Sequence, residues 1–372
     1  MLIKIQITIA LFFYTISSFA QPNDTIYGNV KSIREQVVFT DSTHQNGKLL
    51  FTDGDYGHSG FISPKWTKNR FSYLWYNTPW VHYINYNRIF NIRGNTISET
   101  WYYKNNDTMI NQTYVYDNEK NLVQVKEKYG EEGFSSSNYT YNSKKEIITE
   151  LNYITDEPKI YSYLIYRYDS ISNLIEIKRF NGEGESTSKI YKYDDKSRRI
   201  EDLRNRSYKN VKAESGYEQL KGVVGVNKIY KKYSYNENNQ IIETQTFDSS
   251  LNNGKLSEPN SSVINLYENG LLVEVQKIRD TLINTTKYYY DNRKRLIKKA
   301  KISAKYSEYN QLLEYMYNKE DNIIKLIYSD AEGTKRIRIL YEFDKQNNWI
   351  KQIKSINGVD LYIWEREIKY HN

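Results

Sequence analysis

One stretch of this chain keeps coming back. Tyr114 to Val123 reads Tyr-Val-Tyr-Asp-Asn-Glu-Lys-Asn-Leu-Val, and its second tyrosine has counterparts at Phe90, Tyr116, Tyr141, Tyr168, Tyr193, Tyr235, Tyr267, Tyr290, Tyr317 and Phe343. This anchor is aromatic in every copy. Asp or Asn follows it everywhere except at Glu268, and Ile or Val stands seven residues on, if the Tyr267 copy is allowed a one-residue deletion. Anchor spacings of 26, 25, 27, 25, 42, 32, 23, 27 and 26 residues are too short for two packed helices and suit one β-hairpin per unit. A lone hairpin cannot bury its apolar face, so neighbours must stack. The expectation is an all-β protein of about ten antiparallel hairpin repeats, forming an elongated, curled sheet or shell.

Composition agrees. The chain holds 38 tyrosines and 5 prolines, and tyrosine suits a pleated, half-wet surface better than a helix. With no cysteine at all, stability has to come from burial and strand pairing.

The unit's spacing predicts its turn. After the anchor, the Asp or Asn side chain accepts hydrogen bonds from the turn backbone, as Asx residues do at the start of a type I turn. A residue with positive φ then follows as a bulge. Those positions are Gly94, Lys120, Lys145, Ser172, Ser197, Asn239, Gly270, Lys294, Asp321 and Asn347, of which only two are glycine. In the simplest register Asp117 faces Asn121, Tyr116 faces Leu122 and Val115 faces Val123. That register puts Ile97, Val123, Ile148, Ile175, Ile200, Ile242, Val273, Ile297, Ile324 and Ile350 opposite the tyrosines and makes them the continuous core. A one-residue slip would exchange the two faces.

In chain order, residues 1–20 read as a secretory signal peptide: Lys4, an apolar run from Ile5 to Phe19, then Ser18-Phe19-Ala20 before Gln21. The run is shorter than the ~18–20 residues of a membrane helix, so the chain is expected to be exported, to the periplasm, cell surface or beyond, with no transmembrane anchor. Removing Lys4 leaves 52 basic against 45 acidic residues, or +7, from the full chain's +8. The charges are mostly interspersed, as on a solvated surface; Arg293 to Lys305 is the one strongly basic stretch. Residues 21–85 form an N-terminal strand (Tyr27 to Phe39) and an aromatic-rich cap; residues 86–372 form the repeat domain, with insertions near 204–230 and 249–262.

Little in the sequence points to catalysis. The histidines are His44, His58, His82 and His371, and no phosphate loop, nucleophile elbow or zinc motif is present. Asp53-Gly-Asp55-Tyr-Gly-His58 lacks the rest of a calcium loop and reads as a turn. No cofactor or metal is expected. The better candidates for ligand binding are Trp66, Trp75, Tyr76, Trp80 and Tyr83, whose rings suit sugars and peptides, against the plainer reading that they plug one end of the array. Aromatics interleaved with Lys and Arg also suit single-stranded nucleic acid, but export makes that partner unexpected.

Tyr166-Arg-Tyr-Asp-Ser-Ile-Ser-Asn-Leu-Ile175 and Tyr288-Tyr-Tyr-Asp-Asn-Arg-Lys-Arg-Leu-Ile297 resemble the YD repeat of the Rhs family. The layout as a whole is similar to small secreted YD-repeat proteins of Bacteroidetes-type bacteria. The resemblance implies the architecture, and the large Rhs proteins wrap such strands around a C-terminal toxin. This chain departs from that plan in lacking most of the turn glycines. The functional expectation is a non-enzymatic exported scaffold that binds a carbohydrate, an envelope polymer or a protein; the alternative is an Rhs-like effector-associated or toxin-shielding role.

Overall fold

The computed structural model describes residues 26–40, 84–103, 106–129, 133–154, 160–182, 185–207, 228–247 and 258–372. They form the strands β1 (Val30–Phe39), β2 (Asn85–Phe90), β3 (Thr96–Tyr102), β4 (Thr108–Tyr116), β5 (Leu122–Tyr129), β6 (Gly133–Tyr141), β7 (Ile147–Ile154), β8 (Ile160–Tyr168), β9 (Leu174–Asn181), β10 (Ser186–Tyr193) and β11 (Arg199–Ser207). The array continues through β12 (Lys228–Tyr235), β13 (Ile241–Thr246), β14 (Ser261–Glu268), β15 (Leu271–Arg279), β16 (Leu282–Tyr290), β17 (Leu296–Ile302), β18 (Gln311–Tyr317), β19 (Ile323–Asp330), β20 (Gly333–Phe343), β21 (Trp349–Ile356) and β22 (Val359–Tyr370). All 22 strands belong to one antiparallel sheet in which each pairs with its chain neighbours, and β1 also pairs with β22. The expected antiparallel hairpin array is therefore present, but it closes on itself instead of staying an open, curled sheet. Closure leaves no strand edge to aggregate.

Nine of the repeat turns share one geometry, seen at Asp117, where the Lys120 N–H donates to the Asp117 carbonyl (3.1 Å) and the Asp117 N–H to the Asn121 carbonyl (3.0 Å). The Asx side chain adds its own bonds: Asp169 Oδ1 accepts from the Ile171 N–H (3.0 Å) and the Asn173 N–H (2.8 Å). Positive φ falls at each expected position, for example 70° at Lys120, 73° at Ser172 and 65° at Asn347. The copy with the deletion, at Glu268, turns on Asn269 and Gly270, with φ of 50° and 78°, a two-residue hairpin that has no use for an Asx side chain.

The core assignment changes. Tyr116 does face Leu122, but Val115 faces Gln124 because Val123 forms a β-bulge. The same bulge falls on the Ile or Val position in every copy, as at Ile175, Ile242 and Ile324. It absorbs one residue and flips everything beyond it. These side chains are half-buried or exposed, not the core. Most buried side chains stand on the tyrosine face instead, among them Val37, Tyr86, Trp101, Ile110, Leu313, Leu326, Ile337, Tyr362 and Trp364. Val38, Val115, Leu266, Tyr289, Met316 and Leu340 are exposed on the other. The tyrosine face is the inside of the closed sheet.

The bulge also explains the anchor. It interrupts the ladder and leaves carbonyls in need of donors. Each anchor hydroxyl donates to a carbonyl beside the preceding unit's bulge: Tyr116 to Thr96 (2.8 Å), Tyr141 to Leu122 (2.7 Å), Tyr168 to Ile147 (3.0 Å), Tyr193 to Leu174 (2.8 Å) and Tyr317 to Leu296 (2.6 Å). Where the last anchor is Phe343, Tyr341 takes the role and donates to Ile323 (2.9 Å).

Candidate functional site: the inner wall and its rims

Because strands alternate in direction, all ten repeat turns lie at one rim of the sheet. The β1–β2, β11–β12 and β13–β14 connections, which hold the aromatic segment and both insertions, leave from the other. β11 extends to Ser207 and β12 begins at Lys228, so that insertion is shorter than expected. Trp66, Trp75, Tyr76, Trp80 and Tyr83, together with Asp53, Asp55 and His58, lie outside the described residues. So do residues 1–20. Trp101, from the same aromatic-rich region of the sequence, is a wall residue, its ring 4.6 Å from that of Tyr86.

The inner wall has two kinds of sector. Along the seam, where β1 joins β22 and β2, the tyrosine face is fully packed. Glu35 and Arg366 form an ion pair of 2.8 Å with neither side chain exposed (0% and 0%), and the Trp364 indole N–H donates to Glu35 at 3.0 Å. Arg366 also lies over the Trp349 ring at 3.5 Å. Next to it, Glu99 accepts from Arg88 (2.8 Å) and from the Trp101 indole (2.9 Å). Burial pushes the Lys354 ammonium, which lies over Tyr362, well below the usual lysine range. The two ends of the closed array are tied to the last turn: Asn348 bonds both backbone groups of Tyr27 (2.7 and 2.9 Å), and Tyr370 donates to Asp344. Gly28 sits at φ 92°, where a Cβ would meet the Tyr370 ring at 2.9 Å.

From β4 to β15 the inner face is looser and wetter. Among the inward positions of each unit are the anchor and the residue two before it, which is tyrosine at 114, 139, 166, 191 and 233. Polar groups hold these rings: Tyr166 donates to Glu150 (2.7 Å), Tyr114 to Gln112 (2.7 Å) and Tyr233 to Asp202 (2.9 Å). Arg199 lies over Tyr191 at 3.8 Å. Burial pushes the Tyr193 hydroxyl up to about 12 and raises Tyr114 and Tyr166 further. These phenols stay neutral donors at any physiological pH.

The outer face carries charge pairs: Arg167–Glu176 (3.0 Å) and Lys192–Glu201 (2.8 Å) beside the repeat turns, and Lys287–Glu274 (3.7 Å) nearer mid-strand. No helix among the described residues is long and apolar enough to cross a membrane. Among them there is also no cluster of His, Cys, Asp and Glu able to hold a metal, and His371 is the only histidine.

No family model matches the chain, and no curated protein matches it. Among solved structures it is similar to TcdB2-TccC3, with 10% sequence identity and a TM-score of 0.39 over 74% of this chain and 16% of that one. The same complex without its hypervariable C-terminal region gives the same figures, so the chain spans only 16% of either. A porin-like protein from Bacteroides uniformis ATCC 8492 is similar at 13% identity and a TM-score of 0.26, over 70% of this chain and 95% of that chain. Likenesses of this size carry no statement about activity.

Proposed function

We propose that the protein is an exported, non-enzymatic β-repeat scaffold that binds a carbohydrate, an envelope polymer or a protein, and that its binding surface is the inner wall with the rim that bears the insertions. The supporting observation is the repeated pair of inward tyrosines, half-exposed along β4 to β9 and backed by hydrogen-bonded Gln, Glu and Asp side chains. Half-wet aromatic rings beside amide and carboxylate groups form a surface for sugars and peptides. A glycan array and an envelope-extract pull-down with the mature, demonstrably folded chain test the reading. It predicts retention of at least one polymer, and a folded protein that retains nothing refutes it.

A second reading follows from closure, because a closed sheet has an interior, and the YD-like units suggest an Rhs-like shielding role. Here a toxin encoded beside the gene would lose its toxicity on co-expression. Undiminished killing by that toxin counts against this reading.

A further inference from the structure

We propose that the inner wall between β12 and β18 is a binding site for an acidic polysaccharide, one whose sugars carry carboxylates. This rests on the scaffold reading above and names the class of polymer. Strand register carries the argument. On β12 to β18 the inner positions include Lys231, which faces Asp202 of β11, and the cations Lys277, Arg279, Lys299 and Lys301, and no described inner position of these strands is Asp or Glu. The carboxylates of these strands, Glu243, Glu268, Glu274 and Glu314, all fall on the outer face, where Glu274 pairs with Lys287 at 3.7 Å and Glu314 stands opposite Lys298. Charge is sorted by face: balanced outside, cationic inside.

The basic stretch seen in the sequence divides the same way. Arg293 and Arg295 lie in a turn and pair with Asp321 at 2.9 and 2.8 Å, Lys298 faces outward, and Lys299 and Lys301 face inward. Lys299 lies over Tyr288 at 5.8 Å. Burial, then the like charges of Lys301 and Lys277, lower its ammonium to about 8. Crowded cations of this kind are relieved by an anion.

The spacing selects the ligand. Lys277 faces Asn284 and Lys301 faces Thr286, so two exposed ammonium groups flank one strand of amide and hydroxyl side chains, with the Tyr288 ring further along it. Two strand spacings and two residues along the strand separate their backbones, about 12 Å. A compact phosphate needs convergent donors such as a backbone nest or an Arg fork, and this arrangement diverges. An acidic peptide would gain most from adding a strand to an open edge, and the closed sheet has none in this region. A chain of uronate sugars fits: carboxylates for the lysines, and ring hydroxyls for the amide and hydroxyl side chains of Asn284, Thr286 and Gln311, while the Tyr288 ring beyond them is buried among Leu296, Leu313 and Tyr315 and closes that end of the site.

Polygalacturonate, the same polymer after carboxyl reduction, and poly-glutamate serve as probes against the mature chain. Direct binding to polygalacturonate is expected, weakening with added salt and absent for the reduced polymer. Lys277→Gln with Lys301→Gln, both exposed, should lower affinity about five- to thirtyfold, the loss of two solvent-exposed pairs. Lys287→Gln with Lys298→Gln, on the outer face of neighbouring strands, should leave it within about twofold. Equal loss from both pairs, tighter binding of poly-glutamate, or binding of the reduced polymer alone would overturn the proposal. The last of these leaves the scaffold reading standing, whereas failure to retain any polymer removes both.

Discussion

The seam and the middle of the array are made from the same hairpin yet are held together differently. At the seam, Trp101, Trp349, Trp364, Tyr86 and Tyr362 pack into one cluster around a fully buried Glu35–Arg366 pair. In the middle, from β5 to β15, few side chains are fully buried; each unit closes its own turn with an Asx side chain and is tied to the last by the strand ladder and one tyrosine hydroxyl. The difference follows from topology. Middle strands are brought together by short connections, whereas β1 must find β22 from the far end of the chain. Closing so large a loop costs entropy, and the dense seam core offsets it.

Substitutions can break this comparison. The largest effect is expected at the seam, where Glu35→Gln leaves Arg366 without its charge partner and should cost about 3–5 kcal/mol. Chemical denaturation measures it, and Glu35→Met with Arg366→Met should recover most of the loss. If the single change costs no more than a mid-array substitution, the seam is not the closing element. In the middle, Tyr168→Phe removes only the bond to Ile147 and should cost about 1 kcal/mol, with the same change at Tyr141 giving a similar shift. A much larger loss would mean that the array depends on the hydroxyl ladder as a cooperative whole.

Smaller still is the turn residue. Lys120 sits at φ 70°, where a Cβ is strained, so Lys120→Gly should raise stability by a few tenths to about 1 kcal/mol. A loss would show that side-chain contacts outweigh the strain. The smallest effect concerns acid. The Asn121 side chain, followed by backbone N–H groups, holds the Asp117 carboxyl below its ordinary range. At Asp169 and Asp291 burial acts upward, but bonds from Asn173 and Arg295 outweigh it, so the net shift is also downward. A depressed carboxylate contributes stability that is present above about pH 4 and lost as pH falls through the lower native value. Denaturation midpoints should therefore fall below pH 4, less so in Asp117→Asn. The Asn142 turn should add to that slope through Glu146, whose carboxyl is held below its ordinary range by Ser172 and Asn142, whereas the Asn236 turn, closed by amides alone, should not.

Much of the unit was legible. The Asx residue and the positive-φ position report local backbone demands, which neighbouring residues alone determine. The bulge was not legible, because Val123 and its counterparts read as a regular β-branched core position. Only the neighbouring strand's register shows that they are skipped. Nor was the fully buried pair, since Glu35 and Arg366 are separated by almost the whole chain and look like ordinary surface charges. The aromatic candidates Trp66, Trp75, Tyr76, Trp80 and Tyr83 lie outside the described residues, and the basic stretch that holds Lys299 and Lys301 was legible without the face that each of its members takes.

By itself, then, the sequence determined that this protein is a string of antiparallel hairpins with Asx turns, because period and turn chemistry are short-range properties. Tertiary structure alone decided that the string closes, that the tyrosines face inward, and that along β12 to β18 the carboxylates stay outside while the cations divide between the two faces. Each of those depends on a register, and one bulged residue per unit is enough to reverse it.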